Sequence, residues 1–443
     1  MAVDHAVLSR QSLTSTVQKE AARAIAGTVE EMIQIIGIVL PLGDRIGNYG
    51  VRTVKPPHHL WVDVGQSLKI HLGQFQLDLF LERDGGLLSR CLLWDRELVE
   101  EQEAIRAVVV NTGIANACTG TVGYENTQKE AVLAAEILGI QPEEVAVGST
   151  GVIGKQLPMD IIEAGIRALA PQLKDSRQSS KDAAEAILTT DTKSKEAAVT
   201  VEIGGKEVTI GGICKGSGMI HPNMGTMLGY IATDAAIEKG LLLEMQRELV
   251  EDTFNMVSVD GDTSTNDTVL VMANGMAGNE TIRTKDADYQ AFREGLLYVN
   301  RALAMQIAAD GEGCTRLFEV HVAGADTKEN AKILSKSVVT SSLTKAAIYG
   351  KDANWGRILC ALGYAGVDFG PLKVDIALVS KAGNIEIVKD GVATDYSEEE
   401  ATKILSEDKV TAQIDVHNGV EEATAWGCDL THDYVSINAD YRS

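Results

Sequence analysis

The sequence predicts a mixed α/β protein with layered sheets flanked by helices, on two observations. Apolar residues recur with period two in some segments and with helical spacing in others, and the two patterns alternate along the chain. At 443 residues, 45% of them hydrophobic, the chain is long enough to bury a large core, as two domains or one large one. Ala107 to Asn111 is a strand-like run. Thr127 to Leu138 has helical spacing, with Asn126 placed to cap it, Val132, Ala135 and Leu138 on one side, and Gly139 to close the last turn. Val199, Val201 and Ile203 alternate, Gly204 and Gly205 follow, and Val208 and Ile210 resume the alternation, which predicts a hairpin. Leu242, Met245 and Leu249 keep helical spacing, as do Phe292, Leu296, Val299, Leu303 and Ile307, so two helices flank the strand Thr268 to Met272. Strands at Phe318 to Val322 and Val374 to Leu378, and a helix around Ser397 to Leu405, complete the pattern.

Composition narrows the function. Forty basic against 63 acidic residues give a net charge of −23, which repels nucleic-acid backbones and anionic membrane surfaces. The longest early apolar run, Ile33 to Leu42, is about half of a bilayer span, and no basic stretch followed by an apolar block opens the chain, so a cytoplasmic protein is expected. Six cysteines, at 91, 118, 214, 314, 360 and 428, form no CxxC pair and read as scattered reduced thiols.

The chemistry is expected where these patterns give way to loops of Gly, Thr, Ser, Asn and Asp, which offer free backbone N–H groups. Four such clusters stand out: Asn111 to Gly120, Ser149 to Gly154, Lys215 to Thr226, and Val259 to Asp267. Lys215 precedes its glycines, the reverse of a P-loop. The run from Asp260 has Thr265 and Val271 where a calcium-binding EF-hand loop needs Gly and Glu. Ser149 lacks a nucleophile elbow, and the eight histidines show no partner spacing, so a serine hydrolase and a metal site are both disfavoured.

The string from Lys215 to Asp234 closely resembles the self-cleavage segment of the ornithine acetyltransferase family, the glutamate N-acetyltransferases of arginine biosynthesis. Asn111 to Gly120, Ser149 to Gly154, Val259 to Thr268, Asp310 to Gly313, Ala347 to Arg357 and Ala425 to Ser443 match the same family in order, from about Arg106 to the C-terminus. The resemblance implies the layered α-β-β-α fold of that group and a precursor cut between Gly225 and Thr226. The pieces would be an α chain, 1–225, and a β chain, 226–443, associated as an α2β2 heterotetramer. Members usually carry Ala before the nucleophile; glycine here is sterically permissive at a bond that must be strained and attacked.

The resemblance also assigns the site. Thr226 is the nucleophile, Thr150 and Gly151 supply the oxyanion hole, and Thr189, Lys215, Thr226, Glu312, Asn438 and Ser443 contact substrate. Ser443 stands where the family usually ends in Thr. Asp262, Asn266 and Asn354 are expected to fix loop geometry, and Trp355 and Trp426 to anchor packing. The implied reaction moves acetyl from N-acetylornithine to glutamate, with no cofactor and with acetyl-CoA as a further candidate donor. The competing expectation is an N-terminal-nucleophile aminopeptidase or amidase, which shares the self-cleaving logic and passes the acyl group to water.

Residues of about 45–105 depart from the family pattern and hold two of the four tryptophans and three of the eight histidines. A diverged domain edge and a compensated reading-frame shift are the two accounts. Translating the coding DNA in all three frames separates them.

Overall fold

The computed structural model describes residues 89–102, 104–173, 176–221 and 227–440, together with the backbones of strands Gln34–Val39 and His71–Gln74. Gly225, Thr226 and Ser443 lie outside the described residues. So does most of the atypical segment before residue 89.

Three sheets carry the fold. Gln34–Val39, Ala107–Ile114 and Val145–Val152 form the first, with the last two parallel. The second has five strands in the order His71–Gln74, Thr268–Ala273, Leu228–Thr233, Lys206–Lys215, Lys195–Ile203. The third has seven, with Leu317–Ala325 paired between Lys409–Asp415 and Glu421–Cys428. Parallel and antiparallel pairs occur in the same sheets and helices cover them, the mixed layered α/β arrangement that the sequence predicts.

The five-stranded sheet is buried on both faces, and the period of two explains how. Ile210, Cys214, Ile231, Val269 and Val271 face one core with the helices Lys239–Glu251 and Ala287–Ala308 and with the seven-stranded sheet. Their neighbours Ile213, Leu228, Tyr230, Leu270 and Met272 face a second core, shared with the three-stranded sheet and helices Arg90–Glu101, Gly120–Leu138 and Met159–Leu169. A strand buried on both sides reads as a continuous apolar run rather than an alternation.

Most elements fall where the sequence places them. The hairpin turns on Gly204 and Gly205, both at positive φ (55° and 75°), which a two-residue primed turn requires. Phe292, Leu296, Val299, Leu303 and Ile307 are all buried along one helix, and the Ser397 hydroxyl caps the helix Glu398–Leu405. Gly139, at φ 67°, ends the helix Gly120–Leu138. One boundary differs. That helix begins at Gly120, so Asn126 lies inside it instead of capping it, and Val132 is exposed while Glu130, Ala131, Ala134 and Ala135 are buried. Gly120 to Tyr124 lack an apolar period, and the first turn is set by tertiary contacts, notably the buried Asn116 amide donating to Gly123 O at 2.8 Å.

Candidate active site

The glycine-rich clusters converge at the ends of the three-stranded and five-stranded sheets. Thr150 and Gly151 sit in the parallel ladder opposite Thr112 and Gly113. Gly151 has φ 131°, and a Cβ there would lie 2.3 Å from the carbonyl carbon of Gly113. Only glycine fits so close an approach in that conformation. Ser149 is buried, its hydroxyl accepting from the Asn116 N–H at 2.8 Å and donating to Ile114 O at 3.2 Å. It braces the loop, which agrees with its rejection as a nucleophile. Asn266 does the loop-fixing expected of it, its amide donating to Ser149 O at 2.8 Å and Ser89 Oγ at 3.1 Å.

Lys215 ends the strand Lys206–Lys215, is buried, and donates to Thr150 Oγ1 at 3.3 Å. Behind it runs a chain of alternating charge. Asp191 lies 3.9 Å from Lys215 Nζ and 2.6 Å from Lys195 Nζ, and Lys195 in turn is 2.6 Å from Asp310. All four side chains are almost fully shielded from solvent. Burial pushes Lys215 below its ordinary value against the attraction of Asp191. Burial alone would raise Asp191, but the ammoniums of Lys215 and Lys195 and the Gly216 N–H at 2.6 Å hold it below its usual range. For Lys195 the same burial is outweighed by Asp191 and Asp310, so it stays charged. The result is a lysine Nζ held beside Thr150 in surroundings shielded from solvent.

Glu312 is buried against the loop after Lys215. Its N–H donates to Ser217 O at 3.0 Å, its carboxylate accepts from Asn438 Nδ2 at 2.8 Å, and a Cβ on Gly218 would fall 2.3 Å from that carboxyl carbon. The resemblance-based residues Thr150, Gly151, Lys215, Glu312 and Asn438 are therefore brought into one neighbourhood. Thr189 joins it less directly: it is half-buried, and its N–H donates to Asp191 Oδ2 at 3.2 Å, so the carboxylate behind Lys215 also shapes the Thr189 turn.

Three carboxylates of the site carry no local sequence signal for their roles. Asp310 is 115 positions from Lys195. Asp267 is buried, and its Oδ1 accepts the N–H of Met227, the residue that follows Thr226. Burial raises Asp267 well above the ordinary carboxyl range, against the Met227 N–H and the Lys215 ammonium, which both favour the carboxylate. Asp260, rather than the exposed Asp262, holds the loop, accepting from the N–H groups of Met219 at 2.6 Å and Ile220 at 2.9 Å. Of the packing residues, Trp426 is buried and its indole N–H donates to Glu319 at 2.8 Å, Trp355 is half-buried, and Asn354 caps the helix Trp355–Gly363.

The mixed α/β scaffold brings a buried lysine to a threonine–glycine strand end, an arrangement compatible with acyl transfer. Residues 86–443 match the model of the ArgJ family, and the chain belongs to that family. It is an acetyltransferase of arginine biosynthesis. The match begins earlier than Arg106, where the sequence alone places it, and takes in helix Arg90–Glu101, which packs Cys91, Trp94, Leu98 and Val99 into the second core. The arginine biosynthesis bifunctional protein ArgJ of Symbiobacterium thermophilum is 53% identical over 343 residues, which is 77% of this chain and 84% of that protein. The protein of the same name from Thermotoga neapolitana is 47% identical over 356 residues, 80% of this chain and 88% of its own. A crystal structure of arginine biosynthesis bifunctional protein ArgJ from Bacillus halodurans, 47% identical, covers 49% of this chain and 100% of its own with a TM-score of 0.47.

Proposed function

We propose that the chain cuts itself at Gly225–Thr226 and uses Thr226 to carry acetyl from N-acetylornithine to glutamate. Thr226 Oγ attacks the acetyl carbonyl, the amine of ornithine leaves, and the amine of glutamate then takes the acetyl group from the ester. A threonine hydroxyl needs a base, and a freed N-terminal threonine supplies one in its own α-amine, whose ordinary pKa of about 7.7–8.0 leaves it partly neutral near pH 7. Each half-reaction passes through an oxyanion. The observation that carries the proposal is Lys215 held at Thr150 Oγ1, which places positive charge and a hydroxyl donor together. Glu312 is suited to an ammonium such as that of ornithine, with Asn438 fixing its carboxylate.

Family membership favours this transfer over the aminopeptidase or amidase alternative, since a hydrolase delivers the acyl group to water. The relatives are named bifunctional, which supports acetyl-CoA as a second donor at the same Thr226. Assembly of the α and β pieces as α2β2 and residence in the cytoplasm, or in the mitochondrial matrix of a eukaryote, complete the proposal; no described helix is long and apolar enough to cross a membrane. The test is to incubate the protein with acetyl-labelled N-acetylornithine alone and weigh the β piece. Label on the peptide that starts at Thr226, discharged to N-acetylglutamate by glutamate, is expected. Release of free acetate at the same rate without glutamate would favour the hydrolase.

A further inference from the structure

We infer that Cys314 and Cys428 form a dithiol–disulfide site built against the back of the Glu312 loop. The sequence separates these cysteines widely, and the fold brings them together. Cys428 ends the strand Glu421–Cys428 and pairs with Leu317, while Cys314 lies in the turn that leads into Leu317–Ala325. The Cys314 N–H donates to Gly311 O at 2.9 Å and its thiol to Ala309 O at 3.4 Å, which sets Cys314 on the Gly311 turn against Cys428, each thiol perturbing the other. Space for the Cys428 thiol is made by Gly311, where a Cβ would lie 2.8 Å from its sulfur.

Two neighbours suit the pair to redox chemistry. Lys345 Nζ donates to Cys428 O at 2.5 Å and sits 3.7 Å from its sulfur. The Cys314 thiol and the Lys345 ammonium both favour the Cys428 thiolate and hold it below the ordinary thiol range, against its burial. Cys314 lines a cavity of about 310 Å³ with Lys193, Asp310, Asp433 and Ser436, so a small oxidant reaches that sulfur and not the buried one. The other cysteines stand apart from this pair: Cys91 and Cys214 are buried in the cores, and Cys118 and Cys360 are exposed singly.

The reaction balances with a low-molecular-weight disulfide, RSSR, as oxidant. The contact that favours the Cys428 thiolate raises the Cys314 thiol, so the Cys428 thiolate takes the Cys314 proton as the Cys314 sulfur attacks one sulfur of RSSR, and RS⁻ leaves with a proton from solvent as RSH. Cys428, deprotonated beside Lys345, then attacks the Cys314 sulfur of the mixed disulfide and expels the second RS⁻, which is protonated in turn. Two protein thiols are oxidised to one disulfide and RSSR is reduced to two RSH. Bond formation draws the sulfurs together to about 2.05 Å. That movement falls on the turn whose Glu312 grips Asn438 and whose Gly313 O accepts from Thr431 at 2.7 Å. Control of turnover through this turn rests on the proposed ligand role of Glu312; the disulfide itself does not.

The experiment treats the full chain with oxidised glutathione, blocks remaining thiols with an alkylating agent, and maps peptides by mass without reduction. A linked pair of peptides containing Cys314 and Cys428, removed by dithiothreitol and absent in Cys314→Ser, is expected, with a rate that climbs below the pH range of ordinary thiols. Lys345→Met should slow linkage near pH 7 about tenfold for each unit by which it raises the thiol pKa. Both cysteines recovered as alkylated thiols, or glutathione retained on Cys314 with no link, would overturn the site. Unchanged turnover in fully linked protein would overturn the control through Glu312 while leaving the disulfide standing.

Discussion

Lys215 Nζ donates to Thr150 Oγ1 at 3.3 Å, joining the five-stranded sheet to the three-stranded sheet at the loops where the family motifs meet. A hydroxyl that accepts from an ammonium keeps its own proton free to donate, which is what an oxyanion donor needs. Thr150→Ala should leave the fold and self-cleavage intact and lower kcat by about 10²–10³, the usual cost of one lost oxyanion donor. Steady-state kinetics on the purified variant check this. Turnover equal to wild type would remove Thr150 from the site.

Asp191 stands between Lys215 and Lys195, and its removal should be costly for stability. Asp191→Asn leaves two buried ammoniums without their shared carboxylate, a change of about 3–5 kcal/mol, visible in urea unfolding as a lower midpoint. The pH sign follows from the shift. Because the folded pKa of Asp191 is depressed, its contribution is complete above the unfolded value near 3.8 and is lost as pH falls through the lower folded value. The difference between wild type and Asp191→Asn should therefore persist from neutral pH down to about 4 and shrink only below it.

Asp267 offers a test of what a buried carboxyl does beside the cleavage junction. Its described contact is as an acceptor for the Met227 N–H, a role that Asn retains and Leu does not. Asp267→Asn should yield two fragments at close to the wild-type rate, and Asp267→Leu should cleave at least tenfold more slowly, about the loss of one hydrogen bond to a positioned group. Band intensities on a denaturing gel over time after expression report both rates. Equal cleavage in the Leu variant would show that the contact does not position Thr226, and failure of the Asn variant would assign the carboxyl a proton-transfer role.

How much of this was legible in the sequence depends on how local each signal is. Gly204 and Gly205 announce their turn because the turn type requires positive φ at adjacent positions, and Phe292 to Ile307 announce a helix because their spacing repeats over several turns. Gly120 to Asn126 carry no such period; contacts of Asn116 and Thr119 hold that turn, and no propensity records them. The site divides the same way. Thr150, Lys215 and Glu312 emerge from ordered motifs, whereas Asp310 reaches Lys195 across 115 positions and Cys314 reaches Cys428 across two strands, pairings that exist only once the sheets form.

Glu130 supplies the last prediction. It lies in the second core on the helix Gly120–Leu138, fully buried, and neither carboxylate oxygen has a hydrogen-bond partner among the described residues. Burial pushes its pKa from the ordinary 4.5 up to about 8. Here the folded state holds the proton more tightly than the unfolded chain. Below about pH 4.5 both states are protonated and Glu130 costs nothing through ionisation. Between that value and about pH 8 the unfolded chain ionises freely while the folded one resists, so stability declines as pH rises. Above about pH 8 the full difference is reached, a few kcal/mol on the scale of about 1.4 kcal/mol for each pKa unit. Glu130→Gln removes the titration and nearly preserves the shape. The variant should stay within about 1 kcal/mol of wild type near pH 5 and exceed it increasingly above that, by about 2 kcal/mol at pH 6 and about 4 kcal/mol at pH 8, read as a rising Tm difference. Thermal unfolding followed by circular dichroism at stepped pH provides the comparison. Parallel curves for the two proteins across that range would mean that the carboxylate is neutralised by a partner rather than by its own proton.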